Sequence, residues 1–228
     1  MYKRPLRVLL RFLQKIYYWI LIRSFPLYQP VYRGGKLDKT GDRACLDRWQ
    51  TIKKEIIAFK AQSVLDLGCA EGFYVLAAAK EMNCVALGVD SNTQRIMVAQ
   101  NQLTLEKINS AGYLTAVVDG KLLDKMPRFD LVIFMSVLHH IMYSQGENYC
   151  RKILQKLRPK IGSAMIFEMG QSNEHRQNWS QKLPNMGGDP HGWIRQFLLS
   201  CGFSSVTKIG ESDSHKGEQK RAIFRAEP

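Results

Sequence analysis

The chain has 228 residues, 45% of them hydrophobic, which allows one domain with a sizeable core, or one domain with an appendage. The formal net charge of +13 is uneven, because residues 1–60 hold fourteen Lys and Arg against four Asp and Glu. This excess suggests an anionic membrane surface or a nucleic acid as a partner, with a solvated face that only aids solubility as the alternative. Five cysteines without a CxxC pair argue against a disulfide framework or a zinc site and favour a reducing compartment.

Residues 1–24 predict a basic amphipathic helix. Leucine, isoleucine and tyrosine side chains recur at helical spacing, while arginines and a lysine share another face. The longest run without a charge, Ile16–Ile22, is far shorter than the ~20 residues that span a bilayer, and the segment lacks the cleavage site of a signal peptide. We expect the helix to lie in a membrane interface with Tyr17, Tyr18 and Trp19 among the headgroups, or to dock on the domain or on a dimer partner.

The rest of the chain predicts alternating strands and helices. Residues 25–40 are rich in proline and glycine and predict turns, and a helix is expected over 41–59. The further strands are predicted at 63–67, 84–89, 113–118, 130–135 and 163–168, and the helices at 72–82, 92–108, 146–158 and 190–201. Residues 204–209 and 221–226 predict a closing antiparallel pair. This order indicates an α/β fold, with a Rossmann-like, doubly wound, mostly parallel sheet of seven strands and an antiparallel closing strand.

Polar residues stand at the ends of successive predicted strands. They are Asp66, Asp90, Asp119, Ser136 and Glu168, with His139 and His140 shortly after Ser136. The carboxyl ends of parallel strands meet at one edge, where open α/β sheets bind their ligands. We therefore expect these side chains to share a site.

The stretch VLDLGCAEGF, residues 64–73, predicts a strand, a tight turn and the start of a helix. Gly68 and Gly72 permit backbone angles and a close approach to a ligand that a Cβ would prevent. This is the context of a nucleotide-binding unit. Cys69 lies within the turn, where we expect its small side chain to pack rather than to react.

Asp90 follows Gly68 by 22 residues, the spacing at which an acid accepts hydrogen bonds from a ribose diol. The alternative for Asp90 is a turn residue or a helix cap. A pyrophosphate-binding turn usually carries a further glycine, but this turn has Ala70 there, and Glu71 would repel a pyrophosphate. We therefore expect a ligand with a ribose and no phosphate, such as S-adenosylmethionine, rather than NAD or FAD.

Several stretches resemble the successive motifs of class I S-adenosylmethionine-dependent methyltransferases. They are VLDLGCAEGF, LGVD at 87–90, VVDG at 117–120 and FDLVIFMSVLHHI at 129–141. From about residue 25 onward the chain also resembles, more narrowly, the methyltransferase domain of bacterial O-antigen chain-terminator enzymes. The cues for this are LYQPVYR at 27–33, DRACLDRW at 42–49, DLGCAEGF, SVLHHI at 136–141 and the Asp-Pro pair at 189–190.

The turn and the resemblance together imply S-adenosylmethionine as the cofactor and a set of contacts to it. These residues are Tyr28, Gln29, Arg48, Asp66, Gly68, Cys69, Gly72, Asp90, Ser91, Asp119, Gly120 and Met135. Arg48 would clamp the methionine carboxylate, or else lie on the helix surface. The resemblance puts Asp119 and Gly120 by the adenine and Met135 beside the methyl group.

The methyl acceptor is the open part of this interpretation. Members of the chain-terminator family carry a kinase domain that makes the phosphate to be methylated. This chain ends at Pro228, so we expect that another protein supplies the phosphate, or that the acceptor is different.

Methyl transfer from a sulfonium depends mainly on alignment of donor and acceptor, and a hydroxyl acceptor also profits from a general base. His139, His140 and Glu168 are the catalytic candidates. Alternatively, the histidines guide an anionic acceptor, cap the next helix or pack beneath the adenine. The alternative for Glu168 is a buried acid that is hydrogen-bonded to loop amides. The long loop 170–188 is expected to cover the acceptor.

We thus expect a methyltransferase domain at 41–228, a cofactor-covering segment at 25–40 and the basic helix at 1–24, without a metal. The predicted function is O-methylation of a saccharide hydroxyl, a terminal phosphate or a related small or lipid-linked acceptor. The expected location is cytoplasmic, with peripheral contact to the inner membrane face. The alternatives are an RNA methyltransferase and a cofactor-binding subunit without activity.

Overall fold

The computed structural model describes residues 3–24, 26–33, 35–38, 41, 43, 45–214, 217 and 219–228, with the backbone alone for residues 3–7 and 33. Helix α1 (Lys3–Leu21) comes first, followed by an antiparallel hairpin of β1 (Val31–Arg33) and β2 (Lys36–Asp38). Helix α2 (Leu46–Phe59) then leads into the main sheet. The helix predicted over 41–59 thus begins at Leu46, and residues 42 and 44 lie outside the described part.

The main sheet and its helices alternate as the sequence predicts. The strands are β3 (Ser63–Leu67), β4 (Val85–Asp90), β5 (Ala111–Thr115), β6 (Phe129–Met135), β7 (Ile161–Glu168), β8 (Ser205–Asp213) and β9 (Lys220–Glu227). The helices are α3 (Phe73–Met82), α4 (Thr93–Glu106), α5 (Gly120–Lys125), α6 (Leu138–Gln145), α7 (Glu147–Leu157) and α8 (Pro190–Ser200).

The seven strands stand in the order β5-β4-β3-β6-β7-β9-β8. Strand β3 runs parallel to β4 on one side and to β6 on the other, while β9 is antiparallel to both of its neighbours. The predicted Rossmann-like sheet with its antiparallel closing strand is confirmed. The centre of the sheet is therefore the edge of β3, where Asp66 and the glycine turn lie.

Both faces of the sheet are buried, as the continuous apolar strands require. Leu65 and Leu67 on β3 pack into a core with residues of α6, α7 and α8, whereas Val64 points to the opposite face. There it meets α2 and α3, with Trp49 fully buried. Packing on both faces fixes β3, and with it the turn that follows.

Two short helices were absent from the sequence prediction. Strand β5 ends at Thr115 rather than at residue 118, and the Asp119 carboxylate then accepts the Leu122 N–H at 2.8 Å. Asp119 is therefore the N-cap of α5, a position that aspartate favours. The second missed helix, α6, begins two residues after Ser136, whose φ of +59° turns the chain sharply at the end of β6.

All five cysteines are buried free thiols. The N-terminal part packs on the body through a small separate core of Tyr18, Ile22, Leu27, Val31 and Val98. Within the described residues, no helix is long and apolar enough to cross a membrane.

Candidate functional site

A cavity of about 490 Å³ opens at the carboxyl ends of β3, β4 and β6, as predicted for this topology. Eight of the predicted cofactor residues line it. They are Tyr28, Gln29, Arg48, Asp66, Gly68, Asp90, Ser91 and Met135. The sheet edge and the N-terminal segment therefore converge on one space.

The glycine turn forms the floor of the cavity. Gly68 has a φ of +82°, and a Cβ there would collide with the Val137 side chain. Gly72 has a φ of +81° and packs against Tyr113, whose hydroxyl donates to the Gly72 carbonyl at 2.9 Å. Both positions need glycine for backbone angle and for space. Ala70 between them also lies in the left-handed region at φ +48°, so the turn holds backbone strain beside the cavity.

Asp90 holds this strained turn in place. One carboxylate oxygen accepts the Ala70 N–H at 2.9 Å, and the other accepts the Asn92 N–H at 2.8 Å. A carboxylate keeps further lone pairs after two such bonds. Asp90 therefore fixes the turn and still presents acceptor capacity to the cavity it lines.

Asp66 is a buried acid with an unmet hydrogen-bonding atom. It is only 2% exposed, and its Oδ2 atom has no hydrogen-bond partner among the residues that the structure describes. Burial, and secondly the nearby Asp90 charge, raise the pKa of Asp66 well above its ordinary value. Because an unpaired buried carboxylate is costly, this oxygen fits a cationic or hydrogen-donating group of a ligand in the cavity.

Glu71 anchors the N-terminal segment to the turn. Its two carboxylate oxygens accept the N–H groups of Tyr28 and Gln29, each at 3.0 Å, and its side chain is fully buried. Gln29 in turn accepts the Phe73 N–H at the start of α3 at 3.0 Å. The expected direct repulsion of a pyrophosphate by Glu71 is thus corrected, because Glu71 does not line the cavity. Gln29 instead occupies a donor at the helix N-terminus, where a pyrophosphate would bind.

Glu168 organises a buried group of arginines. Its carboxylate accepts hydrogen bonds from Arg48 Nε and Arg43 Nη2, at 2.7 and 2.8 Å, and from the hydroxyls of Ser136 and Ser212, at 2.7 and 2.6 Å. Burial acts to raise the pKa of Glu168, but the arginines outweigh it and lower the pKa to about 2. A carboxylate so held is a poor proton acceptor at neutral pH, which corrects the interpretation of Glu168 as a base.

Arg48 lies at the cavity wall, but it is tied to protein groups on two sides. Besides Glu168, its Nη2 atom donates to the Asp213 carbonyl at 2.9 Å. Glu168 is therefore the observed charge partner of Arg48. The clamp on a methionine carboxylate stays a prediction.

Arg221 extends the arginine group toward Glu174 in the loop after β7. Its Nε and Nη2 atoms donate to the two oxygens of Glu174, both at 2.7 Å, in a bidentate pair. Its Nη1 atom lies 3.4 Å from Glu168. Arg43, Arg48 and Arg221 thus oppose the two carboxylates of Glu168 and Glu174, and all five residues are buried. Among these five described side chains, the positive charges outnumber the negative ones by one.

The two histidines occupy different environments. His139 is 2% exposed, and its Nδ1 atom accepts the Gly170 N–H at 3.0 Å. Burial lowers the pKa of His139 well below its ordinary value, and it does not line the main cavity. His140 is exposed and lines the cavity, and partial desolvation together with the Arg221 charge lowers its pKa as well. His140 is therefore the better placed of the two to touch a bound molecule.

A smaller cavity of about 110 Å³ adjoins the first, and Tyr28, Ser136 and His140 line both. The other residues around it are His139, Gln177, Trp179 and Arg221. The Gln177 side-chain nitrogen is buried without a hydrogen-bond partner among the described residues. This cavity thus combines a donor without a described partner, from the predicted covering loop, with the Arg221 guanidinium.

Four predicted cofactor residues do not line the main cavity: Cys69, Gly72, Asp119 and Gly120. Cys69 is fully buried, and burial followed by the Asp66 charge raises the pKa of its thiol well above the usual range. Where Asp119 was expected, the wall consists of the apolar residues 116–118, and Val117 is 65% exposed there. The prediction missed Arg43, Arg95, Ala116, Val117, Val118 and Val137 on the main cavity and Gln177 and Arg221 on the smaller one.

Comparison with known proteins agrees with this geometry. A family model for the methyltransferase domain matches residues 64–160. The O-antigen chain terminator bifunctional methyltransferase/kinase WbdD from Escherichia coli is 26% identical over 219 residues, which are 90% of this chain and 28% of that protein. The predicted resemblance to methyltransferases is confirmed.

Solved structures give the same result. A structure of the bifunctional kinase-methyltransferase WbdD matches with a TM-score of 0.78 and 25% identity, over 92% of this chain and 46% of that chain. The N-terminal domain of EvdMO1 with SAH bound shares the fold, with a TM-score of 0.66 and 16% identity, over 93% of this chain and 94% of that one. The present chain spans less than half of the WbdD chains that it matches.

Proposed function

We propose that this protein is a methyltransferase that uses S-adenosylmethionine to methylate an anionic oxygen, such as a terminal phosphate on a saccharide or a lipid-linked acceptor. The observation that carries the proposal is the buried arginine group beside two joined cavities, one with an unpartnered carboxylate oxygen and one with an unpartnered amide donor. The cavity with the carboxylate oxygen suits the positively charged methyl donor, and the cavity with the amide donor suits a negatively charged methyl acceptor.

The chain's own residues fit the cofactor. Asp66 Oδ2 offers an acceptor for the ammonium of the methionine part, which would satisfy its missing hydrogen bond. Asp90 offers acceptor capacity for a ribose diol, and the apolar wall at 116–118 suits an adenine ring that would cover the exposed Val117 side chain. When bound, the cofactor supplies an electrophilic methyl group on sulfur.

The smaller cavity contains the groups that would bind the methyl acceptor. Arg221 is aligned there by its bidentate pair with Glu174, and guanidinium groups recognise phosphate and carboxylate oxygens well. Gln177 adds a neutral donor. Such an anionic oxygen is already deprotonated, so the chain needs only to bind and align it. The curated relative's name joins a methyltransferase to a kinase, which is consistent with a phosphate acceptor for this chain as well.

A saccharide hydroxyl is the second candidate, because His140 lies at the junction of the two cavities. The lowered pKa keeps its imidazole neutral near pH 7, the form that accepts a proton. We also propose that the protein works in the cytoplasm, in peripheral contact with the anionic inner face of the membrane.

The cofactor part is tested by isothermal titration of the full chain with SAH and with NADH. We expect heat from SAH and none from NADH. Binding of NADH in place of SAH would refute the cofactor assignment.

The acceptor part is tested with a cell extract and isotope-labelled S-adenosylmethionine, with the products followed by mass spectrometry. We expect labelled phosphate-bearing saccharide or lipid-linked products, and no label in an extract treated beforehand with phosphatase. Label that survives phosphatase favours the hydroxyl, and label that only ribonuclease removes points to RNA. SAH binding without any label would indicate a cofactor-binding subunit.

A further inference from the structure

Helix α1 presents its apolar stripe away from the body of the protein. Leu9, Leu13, Ile16 and Ile20 follow one another at helical spacing, and they are 53%, 51%, 40% and 51% exposed. The helix contacts the body instead through Tyr18 and the adjoining Ile22, which lie on the other side. An amphipathic helix that docks on its own domain buries its apolar face. The orientation of α1 is the reverse of that arrangement.

The charge and the aromatic residues around this stripe identify a partner. Residues 1–24 contain six Lys and Arg and no Asp or Glu. Trp19 and Tyr17 are exposed beside the apolar stripe, and the Arg23 guanidinium lies 3.9 Å from the Trp19 ring centre. Apolar, interfacial aromatic and basic side chains on one exposed helix are the combination that binds anionic lipid surfaces.

A second copy of the chain is a poorer occupant of the same face. A symmetric dimer would place two copies of α1 against each other, because a two-fold interface uses the same patch twice. Each copy would bring its six positive charges and no acid to balance them. A lipid surface with negative headgroups has no such conflict.

The body-facing side of α1 is connected to the cofactor cavity. Tyr18 donates its hydroxyl hydrogen to the Tyr32 carbonyl at 3.0 Å and packs in one small core with Leu27 and Val31. Those two residues bracket Tyr28 and Gln29, which line the cavity. The same short segment is therefore held by the helix from one side and by Glu71 from the other.

We propose that the outward apolar face of α1 docks on an anionic membrane surface, and that docking steadies the segment 27–32 over the bound cofactor. Membrane binding and cofactor binding then strengthen each other by the same factor, as linkage requires. The proposal of a lipid-binding face does not depend on the proposed function, whereas the proposed coupling rests on the proposed use of S-adenosylmethionine. This coupling would favour methylation of acceptors that are presented at the membrane.

The surface is tested by co-sedimentation of the full chain with vesicles of phosphatidylcholine, with and without phosphatidylglycerol. We expect binding to the anionic vesicles, weakened by salt. Leu13→Glu should lower this binding by at least about tenfold, because a leucine side chain leaves the apolar phase and a negative charge is added. Ile57→Glu is the matched control, since Ile57 is 59% exposed on another helix and should bind vesicles as the parent does.

The coupling is tested by titrating SAH with and without the anionic vesicles. We expect tighter SAH binding with vesicles for the parent and for Ile57→Glu, and no change for Leu13→Glu. The proposal that α1 binds lipid would be refuted if the protein did not bind vesicles. It would also be refuted if the protein formed a dimer in solution that the Leu13→Glu substitution converted to monomers. Vesicle binding with unchanged SAH affinity would overturn the coupling. Vesicle binding without any SAH binding would refute the proposed function and the coupling but leave the lipid surface supported.

Discussion

Replacing Glu168 by glutamine tests whether this buried carboxylate is the organiser of the arginine group. The variant Glu168→Gln keeps the size of the side chain but leaves Arg43, Arg48 and Arg221 without their shared negative partner. Removing one member of a buried ion pair costs about 3–5 kcal/mol, because the remaining charge stays buried and uncompensated. We expect a loss of this size in the free energy of unfolding at neutral pH.

The lowered pKa of Glu168 gives a second way to gauge the size of the same interaction. A pKa lowered from 4.5 to about 2 corresponds to about 3 kcal/mol of stabilisation when the group is ionised. Since the folded pKa is depressed, this stabilisation is fully present above the unfolded pKa and is lost as the pH falls through the folded one. This stabilisation is therefore lost between about pH 4.5 and about pH 2. By about pH 3, the free energy of unfolding should have fallen by about 2 kcal/mol.

Urea unfolding of the parent and of Glu168→Gln, followed by circular dichroism at several pH values, makes the measurement. The difference between the two proteins should narrow as the pH falls from about 5 to about 3. Glu211→Gln is the control, because Glu211 is an exposed carboxylate paired with Lys208, and such pairs contribute at most about 1 kcal/mol. A Glu168→Gln variant no less stable than Glu211→Gln, or a difference independent of pH, would refute the organising role.

Three further substitutions examine the cavity. Asp90→Ala should weaken SAH binding by at least about tenfold in isothermal titration, because a charged acceptor is lost, and an unchanged affinity would contradict the ribose assignment. Gly68→Ala should destabilise the fold by more than about 1 kcal/mol in urea unfolding, and by more than the control Gly35→Ala, which has a φ of +83° and open space for a Cβ. His140→Ala should keep SAH affinity and lose less than about tenfold in kcat on a phosphate acceptor, whereas a loss of about a hundredfold or more would show that it acts as a base on a hydroxyl.

The sequence predicts which residues at the ends of β3 and β4 line the main cavity, because its signals there are local. A glycine turn between a strand and a helix, with an acid at the end of the next strand, occupies 27 residues from 64 to 90 in the printed chain. The β3–β4 pairing then brings the turn and Asp90 together, with Gly68 N–H bonded to the Val89 carbonyl at 2.7 Å. The short-range sequence pattern and the known topology of such sheets are therefore enough to predict that the turn and Asp90 lie together.

The acceptor side could not be predicted in the same way, because its contacts join distant segments. Arg43, the neighbouring Glu168 and Glu174, and Arg221 come from three separate parts of the chain and meet only through the sheet and the closing hairpin. Glu168 shows the difficulty most clearly. Its position at a strand end marks it correctly as part of the site, but its role depends on which cations surround it, and those lie more than 50 residues away in both directions.

The corrected role of Glu168 also bears on the acceptor. With this carboxylate ionised and occupied by arginines, and with His139 buried and bonded to Gly170, His140 is the catalytic candidate that remains at the junction of the cavities, which Tyr28 also lines. This remaining candidate base lines the smaller cavity together with Arg221. Burial, and secondly the Arg221 charge, lower the pKa of His140 and therefore its strength as a base. The same charge attracts an oxygen that is already negative. A site with a weak base and an excess positive charge is better suited to align an anion than to deprotonate a hydroxyl, and this is why we place a phosphate-like acceptor ahead of a hydroxyl.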